Sequence, residues 1–222
     1  MLRPAPELVR RIADAGIHVC PTLWVFDSAC HDHERHHHRD PALLAAVEEP
    51  IRRSWRAFAE AFAASGDVVP PGIAGGLSKQ RGLEAVRNAV ANLKLLAAAG
   101  VPIAFGNDAN YGFSVLSRPM DELRTMHRAG LDALACMRAA TGSAATLLGR
   151  TDRGVLAPGR RADLLVLDGD PRTDFEALGR PQAIWANGRA VLTPPSRWRL
   201  GAALARGYAA TIADSLTRIA AT

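Results

Sequence analysis

Val101-Pro102-Ile103-Ala104-Phe105-Gly106-Asn107-Asp108-Ala109 is a short apolar run that halts at a glycine and then presents a carboxylate. A buried strand ending in Gly-x-Asp aims its acid out of the end of a sheet, where parallel α/β folds place their chemistry. The residues before it, Leu83 to Ala99, have helical period, with Val86, Val90, Leu93 and Ala97 on one apolar stripe and Gly100 as terminator. The same order occurs nearer the start of the chain. Pro6 to Ala15 predicts a helix with Leu8, Ile12 and Ala15 on one face, and Gly16 ends it. Ile17 to Leu23 then predicts a buried strand interrupted by Pro21. Two helix–strand units in succession predict a parallel sheet with helices outside it.

Between these units, Trp24 to Asp40 reads as a polar, histidine-rich loop. Pro41 to Ala64 is helical in period, with Pro50 expected to break or kink it. Ser65 to Arg81, carrying Pro70-Pro71-Gly72 and Gly75-Gly76, predicts a long loop, a feature uncommon outside lids and mobile segments. Beyond Asp108, Met120 to Ala129, Asp132 to Ala140 and Ser143 to Leu148 predict three short helices separated by Gly130 and Gly142. The character changes after Gly149. Ala162 to Asp168, Ala183 to Asn187 and Arg189 to Leu192 read as short strands, and Asn187-Gly188 is a strong hairpin signal. Ser196 to Ala221 is again helical in period. The divisions expected are 1–150, barrel-like; 151–193, β-rich; and 194–222, a C-terminal helix.

The composition narrows the function classes. Of 222 residues, 48% are hydrophobic and 22% charged, which fits a globular chain. The formal charge of +5 is carried almost wholly by arginine, since Lys79 and Lys94 are the only lysines. Those arginines are scattered and the aromatics do not interleave with them, so no nucleic-acid surface is expected. Cys20, Cys30 and Cys136 are widely spaced with no C-x-x-C pair, which argues against a disulfide framework and a thiolate zinc site. No run reaches the roughly 18 apolar residues of a membrane span. A cytoplasmic protein is the expectation.

Three segments together resemble the metal-dependent amidohydrolase superfamily, in its imidazolonepropionase-like and prolidase-like branch. Gly16-Ile17-His18-Val19-Cys20-Pro21-Thr22-Leu23 is similar to that branch's Gly-x-x-x-x-Pro-Thr-Leu strand. Gly100 to Ala109 is similar to its Gly-Val-x-Ile-Ala-x-Gly-Thr-Asp-Ala strand, with Asn107 in place of the usual threonine. Gly154 to Asp168, followed by Asp170-Pro171 and Asn187-Gly188-Arg189, resembles the family's closing stretch, in which Gly-x-Ala-Asp-Leu-Val-Val-Leu opens part of a β-sandwich.

The resemblance implies an α/β fold: a partial (β/α)8 TIM-type barrel, comprising its last strands and helices, then a small β-sandwich segment. It implies hydrolysis of amide or other C–N bonds, non-peptide or dipeptide-like, by a water activated on a divalent metal, zinc in this reading. Asp108 matches the strand-eight aspartate, so the resemblance makes it both metal ligand and catalytic base. The family's other ligands are a His-x-His after the first strand, a central carboxylated lysine or glutamate, and two single histidines. None has a match here, because the Pro-Thr-Leu segment already falls at residues 21–23.

A C-terminal fragment, inactive alone, is therefore expected, with a complementing N-terminal polypeptide or a homo-oligomer as partner and a small amide-type substrate. The unmatched strands would otherwise leave unpaired edges and an exposed apolar face. The alternatives are a non-catalytic binding or assembly module, and a separate metalloenzyme using His31, His33 and Asp108. His31-Asp32-His33 has the right local spelling, but consecutive histidines in a polar loop, as with His36-His37-His38, are more often solvated. Asp108 also has a plainer reading, as the cap of the turn after its strand. His18 is expected as a hydrogen-bonded core histidine and His127 as an outward-facing helix residue. Asp163 and Asp168 are expected to be structural.

Overall fold

The computed structural model describes residues 5–35, 41, 45, 49, 52–53, 56, 60, 67–69, 77–108 and 119–192. The expected C-terminal helix, His36 to His38, the Pro70-Pro71-Gly72 turn and the stretch from Ala109 to Arg118 lie outside these residues.

Helix α1 (Pro6–Asp14) begins with proline at its first position, carries Glu7 in its first turn and Arg11 in its last. Each of these complements the unsatisfied end groups or the dipole of a helix. Its packing face is Val9, Ile12 and Ala13, one residue round from the expected stripe, and Leu8 is exposed. The chain then runs through an extended segment to α2 (Leu23–Arg35). The strand expected from Ile17 to Leu23, like the one expected ahead of Gly106, is reduced to a single isolated parallel bridge. Val19 pairs in parallel with Ile103 through two hydrogen bonds, Val19 N–H to Pro102 O and Ala104 N–H to Val19 O, both 2.9 Å. Pro21 and Pro102 have no N–H to extend the ladder, and Leu23 already belongs to a helix.

The polar loop expected from Trp24 to Asp40 is overturned over residues 24–35, which lie in α2. Its buried positions are Leu23, Trp24, Val25, Asp27, Ser28 and Cys30, a helical face that includes two polar residues. In the expected Pro41 to Ala64 helix, the described residues Pro41, Ala45, Glu49, Arg52, Arg53, Arg56 and Glu60 are helical. The long loop expected from Ser65 to Arg81 instead contains β1 (Asp67–Val69), paired antiparallel with β2 (Leu77–Ser78). Ser78 Oγ then accepts the Arg81 N–H, capping α3 (Lys79–Ala98).

The buried face of α3 is Gly82, Ala85, Ala89, Leu93 and Leu96. This again differs by about one position from the expected stripe: Val86 and Val90 are half-buried and Ala97 is exposed. Small residues on the inner face let neighbouring helices approach closely. The core joins Val9, Leu23, Leu93, Leu96, Val101, Ile103, Leu123 and Met126, so helices enclose the parallel pair. Helix α4 (Pro119–Arg128) is followed by α5 (Ala133–Arg138), whose Asp132 cap accepts the Ala135 N–H at 2.7 Å. Gly142 does not separate two helices as expected. It lies in a π-helical turn (Ala139–Ser143) that runs directly into α6 (Ala144–Leu147). The Ala139 carbonyl accepts the Phe105 N–H at 2.9 Å, which ties this turn to the end of the strand.

The three strands expected after residue 150 form one antiparallel sheet, β3 (Leu164–Leu167), β4 (Pro181–Ala186) and β5 (Arg189–Leu192). Asn187 and Gly188 take φ of 51° and 74°, the paired left-handed conformation of a tight hairpin turn. Asp163 is structural, as expected: it accepts the Asn187 N–H at 2.6 Å and pairs with Arg153 and Arg161. A 3-10 turn (Phe175–Gly179) between β3 and β4 rests on α4. There Arg124 Nε donates to Glu176 at 2.8 Å, and His127 stacks on Phe175 with ring centroids 4.3 Å apart.

Candidate active site

Both members of the parallel pair end on the same side, and each ends in a residue with positive φ. Thr22 and Asp108 both have φ of 44°. A β-branched residue in that region is a genuine outlier, and such conformations gather at ligand-binding and catalytic positions. Asp108 is exposed there, at the carboxyl end of its strand, where the sequence placed it.

Gly106 and Cys20 bring the two ends together. A Cβ built on Gly106 would lie 2.5 Å from Cys20 Sγ, so glycine is what permits the approach. The Cys20 thiol is pushed above its ordinary value, first by partial burial and then by the negative charges of Glu122 and Asp108. The shift disfavours the thiolate, the form that attacks and ligates.

Glu122 is the residue that the sequence reading missed. Its side chain is fully buried in α4, beneath the start of α2. Oε1 accepts the Leu23 N–H at 3.0 Å and Oε2 accepts the Trp24 N–H at 2.5 Å. These are two of the first-turn donors that a helix cannot satisfy internally. Burial pushes the Glu122 carboxyl up to about 7, against the two backbone donors that lower it, and the Asp27 charge adds to the rise. A signal was available. Glu122, Met126 and Ala129 fall at helical spacing, and the latter two are buried, so the glutamate occupies a core position of its helix.

The other candidates lie apart from this rim. His31 and His33 belong to α2 and not to the expected loop. His18 is half-buried and borders a cleft beside Pro102, not a hydrogen-bonded core site. His127 is exposed, as expected, with Nδ1 2.7 Å from the Leu131 carbonyl.

Among the described residues, no group of three or more His, Cys, Asp or Glu side chains is disposed to hold a metal ion. Glu122 is enclosed with both oxygens engaged, whereas Cys20 and Asp108 are exposed at the rim. A catalytic divalent ion normally takes about three protein ligands. The described residues by themselves therefore do not fit a metal cage.

This arrangement, an exposed aspartate after Gly-x at the carboxyl end of a helix-enclosed parallel pair, precedes a small antiparallel sheet. The sequence model of the Amidohydrolase family matches residues 9–191. The chain belongs to that family. Adenine deaminase of Methylobacterium nodulans is 52% identical over 69 residues, a match covering 31% of this chain and 11% of that protein. Imidazolonepropionase of Deinococcus deserti is 37% identical over 126 residues, covering 56% of this chain and 30% of that protein. Among solved structures, a prolidase complexed with N-methylphosphonate-L-proline aligns with a TM-score of 0.57 at 23% identity. That alignment covers 85% of this chain and 38% of the prolidase, and it is a likeness of fold. The chain thus spans less than half the length of each of these proteins. Among the described residues, no helix is long and apolar enough to cross a membrane.

Proposed function

We propose that this chain is the carboxyl-terminal share of a metal-dependent amidohydrolase that cleaves amide or other C–N bonds in small, non-peptide or dipeptide-like substrates. In this reading residues 1–150 are the last strands and helices of a (β/α)8 barrel, 151–193 a β-sandwich segment and 194–222 a terminal helix. The observation that carries it is the placement of Asp108, exposed at the carboxyl end of the Val19–Ile103 pair in a chain of this family. A divalent ion, zinc in this reading, would lower the pKa of a bound water and polarise the substrate carbonyl. The Asp108 carboxylate would be one of the residues to hold that ion, and at the same position it would supply a base for proton transfer. The remaining ligands come from outside the described residues, through a complementing polypeptide or a second copy. No nucleic acid or membrane takes part, and the location is cytoplasmic.

Leu165, Val166, Trp185 and Val191 support the need for a partner, because these large apolar residues of the antiparallel sheet are exposed. Their number in so small a sheet suits a surface that further chain covers. The lack of a group of three metal-binding side chains among the described residues favours a second reading, a non-catalytic module that keeps part of the fold. Zinc analysis of the purified chain separates them when combined with the DNA sequence upstream of Met1. The hydrolase reading expects a His-x-His strand encoded upstream, in frame or frame-shifted. It also expects zinc well below one equivalent in the chain alone. Zinc should then rise towards one equivalent when the upstream-encoded polypeptide is added, and Asp108→Asn should prevent the rise. Unrelated upstream sequence together with a folded, monodisperse, metal-free chain would establish the module instead.

A further inference from the structure

We infer that the chain has a second binding site, for a small phosphate-bearing ligand, at the opposite end of the parallel pair from Asp108. His18 and Pro102, which immediately precede Val19 and Ile103, border a cleft of about 560 Å³ there. Its volume lies within the range of small-ligand sites, roughly 300–1,000 Å³. Arg138, Arg150, Arg153 and Arg160 line it, and no Asp or Glu does.

The disposition of these guanidiniums sets the chemistry. Arg153 is held in place by Asp152 at 3.0 Å and Asp163 at 3.5 Å. No ion pair joins Arg138, Arg150 or Arg160 to a carboxylate of the described residues. Like charges converging on one concavity repel each other unless an anion sits between them. The planar fork of arginine matches phosphate oxygens in pairs. A phosphate-bearing ligand therefore relieves the repulsion and uses the donors together, and apolar Pro102 and Val155 leave room for an organic portion.

The cleft wall is built, not incidental. The segment after α6 folds back onto the π-helical turn, and Gly154 (φ 86°) is the point of contact. A Cβ there would lie 2.6 Å from Ala145 Cβ and 2.9 Å from the Thr141 carbonyl oxygen. This approach sets Val155 beside Gly142 of the turn that follows Arg138, so that both segments line one cleft, and it depends on neither Asp108 nor a metal.

Isothermal titration of the full chain with inorganic pyrophosphate and with phenyl phosphate at low salt tests the proposal. Saturable one-to-one binding is expected, weakening by at least about tenfold in Arg138→Gln/Arg150→Gln and in Arg160→Gln. The control Arg81→Gln/Arg87→Gln, in exposed arginines of α3 outside the cleft, should bind as the parent does. Val155→Trp keeps every charge but fills the cleft, and should also abolish binding. Tighter pyrophosphate binding would mark an inorganic or polyphosphate ligand, and tighter phenyl phosphate binding an organic ester. Absence of binding at millimolar probe, equal weakening in the control, or full binding by Val155→Trp with unchanged thermal unfolding would each overturn the site.

Discussion

Gly106 and Cys20 show how one missing methyl group can set a site. Because the Cβ position at Gly106 lies 2.5 Å from Cys20 Sγ, Gly106→Ala should displace the sulfur or the strand ends that carry it. Overpacking of this kind costs about 1–3 kcal/mol, readable as a lower urea midpoint. Cys20→Ala removes the sulfur, so the double variant should recover most of that loss. Additive single effects would show that the contact is not the cause. Glu122 makes a different prediction. Its folded-state carboxyl is raised to about 7 by burial, from an ordinary 4.5, so between those values the folded chain holds a proton that the unfolded chain has released. Stability should therefore fall as pH rises from about 4.5 to 7, by an amount on the order of 3 kcal/mol, and level off above that. In Glu122→Gln the slope over that window should vanish in denaturant titrations run from pH 4 to 8. A slope that persists would assign the titration to another group.

At the scale of elements, α2 and α5 begin for different reasons. Asp132 caps α5 from the adjacent position, a local device, and Asp132→Ala should cost about 1 kcal/mol in equilibrium unfolding. The first turn of α2 is instead satisfied by Glu122, 99 residues from Leu23, so nothing near Leu23 announces it. Its inner face also hides from an apolar-period reading. Asp27, paired with Arg128 at 3.6 Å, and Ser28 are both buried in it, and polar residues in a core face look like loop. The same limit shifted the stripe of α3. Valines drew the reading, whereas the face that packs carries Gly82, Ala85 and Ala89, chosen for close approach rather than for hydrophobicity. Period located α1 and α3, but which face turns inward depends on the neighbours a helix meets.

For the molecule as a whole, the balance between core and exposed apolar surface is the informative quantity. The core around Leu93 and Met126 is closed, whereas one face of the antiparallel sheet leaves Val166 and Trp185 open to solvent. Open sheet surface of this kind promotes association. The chain alone should self-associate as its concentration rises, and Val166→Lys/Trp185→Lys should shift sedimentation velocity profiles towards the monomer. Because both sites are exposed, stability should change by no more than about 0.5 kcal/mol. A parent chain that is monomeric throughout would show that this surface needs no cover.

The sequence by itself determined the helices α1 and α3, the Asn187-Gly188 hairpin and the family. Each of these is written in neighbouring residues, through helical period, turn conformation and short motifs, and local backbone preferences act over only a few positions. Tertiary structure alone decided that Glu122 caps α2, that Cys20 lies against Gly106, and that four arginines converge on one cleft. Those relations join residues far apart in the chain, and they arise only when packing forces distant side chains to share one buried or confined volume.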